Sequence, residues 1–261
     1  MRKLVTGLIA ALLAVAGAAC GDGGDERDLS NALLTAAEAA DDAGTVRMEM
    51  TSEVSVGGQS VTVDAEGEFD VADDLGRMTV SASGAAGVPG IGEMEVILDG
   101  RYMYVKGEAF AAALDGKEWG RIDLTAAGAA GANQLSQDPT QYVEWLRGAG
   151  GDVEEVGEEE IDGVTTTHYK ADIPVDAIVD QAPDEASAEA LRAGLEVFGD
   201  AESFPVDVWV DADDLPRRIS LVLGGEGASL SSKVTVDLFD YGVEVDAQPP
   251  ESYKDISALL G

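Results

Sequence analysis

Thiols are almost absent from this 261-residue chain: Cys20 stands alone. One cysteine excludes an intramolecular disulfide, so stability has to come from a buried core. Histidine is equally scarce. With His168 as the only imidazole, the usual zinc clusters cannot be assembled. Cations are few, 16 Lys+Arg against 51 Asp+Glu, for a formal net charge of −35. A surface of that sign repels phosphates and excludes nucleic acid as a partner. It is also repelled by anionic headgroups, so attachment to a membrane would have to be through an anchor and not a basic patch. Catalytic signatures are missing as well. There is no Gly-x-Ser-x-Gly elbow. The Gly-rich stretches GAAGVPGIG (84–92) and AAGAAGANQ (126–134) lack the lysine and the strand-to-helix setting of a phosphate loop. VDADDLP offers Asp211, Asp213 and Asp214 but lacks the glycine and the final glutamate of a calcium loop, and reads as a hairpin turn. The acidic run from Glu154 to Glu160 reads as a solvated strand and turn. The chain therefore reads as a non-enzyme, with no cofactor and no metal.

What is present begins at the N-terminus. Arg2 and Lys3 precede an apolar stretch, Leu4 to Val15, and small residues fill positions 16–19 up to Cys20. The uncharged run from Leu4 to Ala19 has 16 residues, short of the roughly 20 needed to span a bilayer. This is the layout of an export signal. Small residues just ahead of a cysteine resemble the lipobox of bacterial lipoproteins, with Gly17 where an aliphatic residue is usual. Residues 1–19 are thus expected to be a cleaved signal peptide, and Cys20 an acylated membrane anchor. Residues 20–28 are expected to be a flexible Gly/Asp-rich tether, and 29–261 a single β-rich domain at the extracytoplasmic face of the cell membrane. Cleavage removes Arg2 and Lys3 and leaves 14 basic residues against 51 acidic ones, a net charge of −37.

The domain opens with one helical pattern: Leu29, Leu33, Ala36, Ala37 and Ala40 share a face, and Gly44 stops it. The period then becomes two. In TVRMEMTSEVSV, Val46, Met48, Met50, Val54 and Val56 alternate with Arg47, Glu49, Thr51 and Glu53, giving a strand with one dry and one wet face. Gly57-Gly58, Asp99-Gly100 and Asp162-Gly163 read as tight turns between such strands. About ten strands follow one another by short links, which predicts neighbouring antiparallel pairs. Helical stretches interrupt them at PTQYVEWLRGAGG, PVDAIVDQA and EASAEALRAGLEVFG, and ESYKDISALL reads as a last helical turn. The expected fold is α+β: a long curved antiparallel sheet, a U-shaped half-barrel, wrapped around a few helices.

The blocks VILDGRYMYVKG…DGKEWGRIDL, YVEWLRGAGGDVEEVGEEEIDGVTTTHYKADIPVD and FPVDVWVDADDLPRRISLVL, in this order behind a lipobox-like signal, resemble the LolA-like superfamily, in particular the actinobacterial LppX/LprG-type lipoproteins. The resemblance covers roughly residues 29–247. It implies an apolar cavity between sheet and helices, and a role in carrying lipids, glycolipids or acylated proteins through the envelope. On that basis the partners are the membrane, through Cys20, and a lipid or acyl ligand. Candidate cavity residues are Met48 and Met50 on the first strand, Val61, Val63 and Phe69 on the second, Met78 and Val80 on the third, and Val96 and Leu98 on the fourth. Leu191, Leu195 and Phe198 follow on a covering helix, and Ile219, Leu221, Val234 and Val236 on the closing strands. Gly84–Gly92 and Ala126–Gly131 are candidate lids. By residue type alone, the Ala-rich helices fit a cavity and a closed core equally well. The alternative is therefore an interaction or sensor lipoprotein of the same fold with a filled core. His168 falls on the wet face and is expected to be exposed. Trp119, Trp145 and Trp209 are expected to pack in the core or groove, with Trp209 under the stem of Arg217 or Arg218.

Overall fold

The computed structural model describes residues 25–70, 73–84, 92–124, 153–180, 182, 185–199, 201–224, 228 and 230–259. The signal, Cys20, the segment of the helix at PTQYVEWLRGAGG, Trp145, the interior of the Gly84–Gly92 loop and the Ala126–Gly131 loop lie outside the described residues. Helix α1 (Asp25–Ala43) begins four residues earlier than its apolar face does. Acidic residues are favoured in a helix's first turn, where their charge opposes the dipole. Gly44, at φ 73°, ends the helix and turns the chain into the sheet.

Twelve strands form one open sheet: β1 (Thr45–Val56), β2 (Gln59–Asp70), β3 (Leu75–Gly84), β4 (Gly92–Asp99), β5 (Tyr102–Gly107), β6 (Trp119–Asp123), β7 (Glu154–Ile161), β8 (Val164–Pro174), β9 (Ser203–Asp211), β10 (Pro216–Leu223), β11 (Leu230–Phe239) and β12 (Tyr253–Asp255). Their spatial order is β12-β6-β5-β4-β3-β2-β1-β11-β10-β9-β8-β7. Within the runs β1–β6 and β7–β11, sequence neighbours pair antiparallel, as the alternation predicts. The first run of strands meets the second at the β1–β11 pair, which is also antiparallel. Gly57 and Gly58 are both at positive φ, and so are Asp162 and Gly163. This is the backbone of two-residue hairpins whose twist matches the strands.

Two expectations need correction. The sheet is mixed and not purely antiparallel, because β12 pairs parallel with β6. The tail read as a helical turn therefore begins as a strand, followed by a 3-10 turn at Ser257–Leu259. Helices α2 (Val175–Val179) and α3 (Glu185–Leu195) lie between β8 and β9, and Phe198 sits in a separate 3-10 turn beyond α3. No described helix is long and apolar enough to cross a membrane.

Candidate functional site

The inner face of the sheet collects the apolar alternation of every long strand. Register defines its rows. One row runs Tyr169, Val208, Ile219, Val236, Met50, Ala65, Val80, Met94 and Gly107 across nine strands. The next runs Leu238, Met48, Gly67, Met78, Val96 and Val105. Side chains on β8–β11 are mostly β-branched or Leu. From β1 to β5 the rows mix Met, Ala and Gly with Val80, Val96 and Val105. Helix α1 lays Leu33, Ala36, Ala37 and Ala40 into this face and packs on β10 and β7, while α2 packs on β8. Phe198 meets Phe204 edge to face at 6.5 Å.

The candidate cavity residues are brought to this one face. Met48, Met50, Phe69, Met78, Val96, Leu195, Ile219, Leu221, Val234 and Val236 are buried in one continuous core. Val80, Leu98, Leu191 and Phe198 pack against it partly exposed, and Val61 and Val63 are half-buried near the hairpin end of β2. Among the described residues, a thin recess partly open to solvent lies beside Met48, Met50, Ala65, Glu66, Gly67, Phe69 and Met78. It is too thin for a water molecule.

The outer face departs from expectation at His168, which is 6% exposed and not a solvated strand residue. The reason is local. Its ring stacks on Trp209 at 4.2 Å and 13°, its partner in the β8–β9 register. Nδ1 meets Glu159 Oε1 at 3.2 Å and Nε2 meets Asp207 Oδ1 at 2.7 Å. The indole N–H of Trp209 donates to Glu159 Oε2 at 2.8 Å, so three strands are tied by one cluster. That hydrogen bond, followed by the contact with His168, holds the Glu159 carboxyl below the usual range against its partial desolvation. One face of Trp209 is therefore covered by His168, and its neighbour across the β9–β10 pair is Arg218. Arg217 and Arg218 pair with Asp211 (2.6 Å) and Asp237 (2.5 Å). Asp211 Oδ1 also accepts the backbone N–H groups of Asp213 and Leu215, so the carboxylate of the tempting VDADDLP segment is fully used in closing its own hairpin.

A second departure is the C-terminal segment. Ile97 and Tyr104 project from the outer face yet are buried, under Ala247 and Val245. The chain then reaches the sheet edge as β12, and Ile256 joins the inner core. A Cβ on Gly120 would stand 2.5 Å from the Ile256 Cδ1, so the glycine leaves the space that Ile256 fills. Arg121 fastens this strap: it pairs with Asp255 at 2.6 Å and lies over the rings of Tyr102 and Tyr253, each 4.7 Å away. Sequence reading missed the strap, although apolar Ile97 and Tyr104 on a wet face were a signal that something covers them.

No protein-family model matches the chain. An uncharacterised 31.2 kDa protein of Streptomyces griseus, from the rplA-rplJ intergenic region, is 30% identical over 227 residues, covering 80% of this chain and 72% of that one. A protein of Streptomyces coelicolor, named as a candidate lipoprotein, is 28% identical over 252 residues, covering 89% and 78%. Among solved structures, the lipoprotein LppX of Mycobacterium tuberculosis superposes with a TM-score of 0.52 at 14% identity, over 85% of this chain and all of that one. LprF of Mycobacterium bovis gives 0.53 at 13% identity, over 86% and 97%.

Proposed function

This chain belongs to the family of the Streptomyces griseus protein and has the LolA-like fold of LppX and LprF, and on that premise we propose that it is a membrane-anchored extracytoplasmic lipoprotein that binds or carries a lipid or acylated ligand between its sheet and its helices. Residues 1–19 serve as the export signal, Cys20 as the acylated anchor, and the acidic outer face keeps the domain soluble above the bilayer. One observation carries the reading: an open twelve-stranded sheet gathers the apolar side chains of its long strands mainly on one face, crossed by a helix whose buried contacts are mostly alanine. Ala side chains fill little of the space between layers, and such a face can part from its cover without exposing polar backbone. The process is non-covalent and needs no catalytic group.

A second reading, a sensor or interaction lipoprotein with a filled core, is favoured by the small recess, since ligand pockets commonly measure about 300–1,000 Å³. The two are separated by extracting the purified, unacylated mature protein with organic solvent and analysing the extract by mass spectrometry. Co-purified lipid, or uptake of a fluorescent fatty acid by the emptied protein, is the expected result. A lipid-free protein that also takes up no fatty acid leaves the filled-core reading standing.

A further inference from the structure

The one imidazole of the chain has a carboxylate at each ring nitrogen: Nδ1 of His168 stands 3.2 Å from Glu159 Oε1, and Nε2 stands 2.7 Å from Asp207 Oδ1. A carboxylate only accepts hydrogen bonds, and a neutral imidazole carries a single N–H. Both contacts are therefore hydrogen bonds only when the ring holds two protons. With one proton fewer, a bare ring nitrogen turns its lone pair toward a carboxylate oxygen, and that contact becomes repulsive. The two limbs are unequal. Asp207 makes the shorter contact, and Lys170 Nζ lies 4.0 Å from the same oxygen. Glu159 makes the longer contact from the edge strand β7, and its side chain is half exposed, so it has water to move into. The indole N–H of Trp209, 2.8 Å from Oε2, is the first cause that holds this carboxyl ionised, followed by His168 itself. Among the described residues, Arg218 on β10 completes the charged surroundings, across from Trp209 and paired with Asp237. The Glu159 limb closes on an irregular stretch of the sheet. The β7 register shifts between Glu155 and Gly157, and Gly157 lies opposite His168. Val153, just ahead of β7, is buried in the core, and α1 rests on β7 and β10. Beyond the bulge, Thr166 donates its hydroxyl to the Glu159 carbonyl at 2.9 Å, so the strand backbone there is held independently of the ring.

We propose that Glu159, His168 and Asp207 form a proton-operated clasp on β7, closed while the ring carries two protons and released at Glu159 when Nδ1 gives up its own. Release loosens the bulged start of β7, and with it one of the two strands on which α1, the cover of the inner face, rests. The direction follows from the donors. The clasp is present at lower pH and is lost as pH rises through the titration of the ring. The device stands on the geometry of the cluster and not on what the inner face binds.

A single histidine makes the test direct. The purified, unacylated mature protein, carrying no histidine tag, is labelled with 15N. The ring nitrogens of His168, the indole N–H of Trp209 and the amide exchange of β7 are followed against pH. As Nδ1 loses its proton, the indole signal is expected to shift in step. Exchange at the amides of Glu154 to Glu159, corrected for its intrinsic pH dependence, is expected to quicken about tenfold, the scale of one charge-assisted hydrogen bond, with β9–β11 unchanged. Glu159→Gln is expected to abolish both changes. Its amide N–H can donate to the bare Nδ1 while its carbonyl accepts the indole N–H, so the cluster closes on a neutral ring. A ring that titrates while the indole signal and the β7 exchange stay unmoved overturns the clasp. So does loss of the Nε2 proton in place of the Nδ1 proton, and so does a Glu159→Gln protein that keeps the full pH dependence.

Discussion

A lone histidine among 51 acidic residues is placed by what its two ring nitrogens meet. Each nitrogen of His168 faces a carboxylate, and the ring face is covered by an indole. A catalytic base would need a free nitrogen directed at a substrate proton; here both nitrogens are occupied by Glu159 and Asp207. The role is to join β7, β8 and β9 on the solvent side. His168→Ala removes the hydrogen bond to the Asp207 carboxylate and the stacking on the Trp209 ring. Removing one member of such a buried hydrogen-bonded set costs about 1–3 kcal/mol. The denaturant midpoint of His168→Ala is expected to fall accordingly, with the slope unchanged. A midpoint equal to that of the unsubstituted protein would mean that the cluster contributes nothing to stability. The sequence placed His168 on the correct face. Its burial was not legible, because that depends on a glutamate nine residues away reaching across from an edge strand.

At the scale of elements, strands and helices differ in how far their sequence specifies them. The long strands are readable from alternation because a slip of one residue would turn the entire apolar set to solvent. Hairpins are readable from Gly57-Gly58 and Asp162-Gly163, because few residues tolerate positive φ. The C-terminal strap has neither signal. β12 is three residues long, too short for a period, and its partner β6 is more than 120 residues away and parallel. Its latch gives the strap a pH dependence. Hydrogen bonds from Arg121, and then from the Ser257 side chain and backbone, hold the Asp255 carboxyl down at about 2 against an ordinary 3.8. A carboxyl depressed on folding stabilises the native state above its ordinary value, and that contribution is lost as pH falls through about 2. The melting temperature of Asp255→Asn is therefore expected to lie below that of the unsubstituted protein at neutral pH, with the gap closing between pH 4 and pH 2. A gap that persists unchanged down to pH 2 would rule out this ion pair as the latch.

For the molecule as a whole, the fold and the anchor make separate demands. Among the described residues, twelve strands in one sheet leave two edges. One is capped by the short β12 and the other is β7, whose glutamates and bulge near Gly157 discourage edge-to-edge pairing with another chain. The domain is thus protected as a free-standing body, and in the proposed function its place at a membrane depends on Cys20. In cell fractionation, Cys20→Ser is expected to move the protein from the membrane to the soluble fraction, with high salt leaving the acylated form in place. A Cys20→Ser protein still held in the membrane fraction would assign the attachment to the folded domain.

The sequence by itself determined the apolar and polar faces of each long strand, the hairpins between them, the acidity of the surface and the position of the single thiol. These are local properties, fixed by alternation, by φ at a few turn residues and by charge. Tertiary structure alone decided that Met48 and Met78 flank Gly67, that Trp209 shelters His168, and that Ile256 fills the space above Gly120. Each of these depends on which strand lies beside which and in what register, and on a chain end wrapping an edge. Such contacts draw their free energy from burying surfaces that lie far apart in sequence, and no local pattern records them.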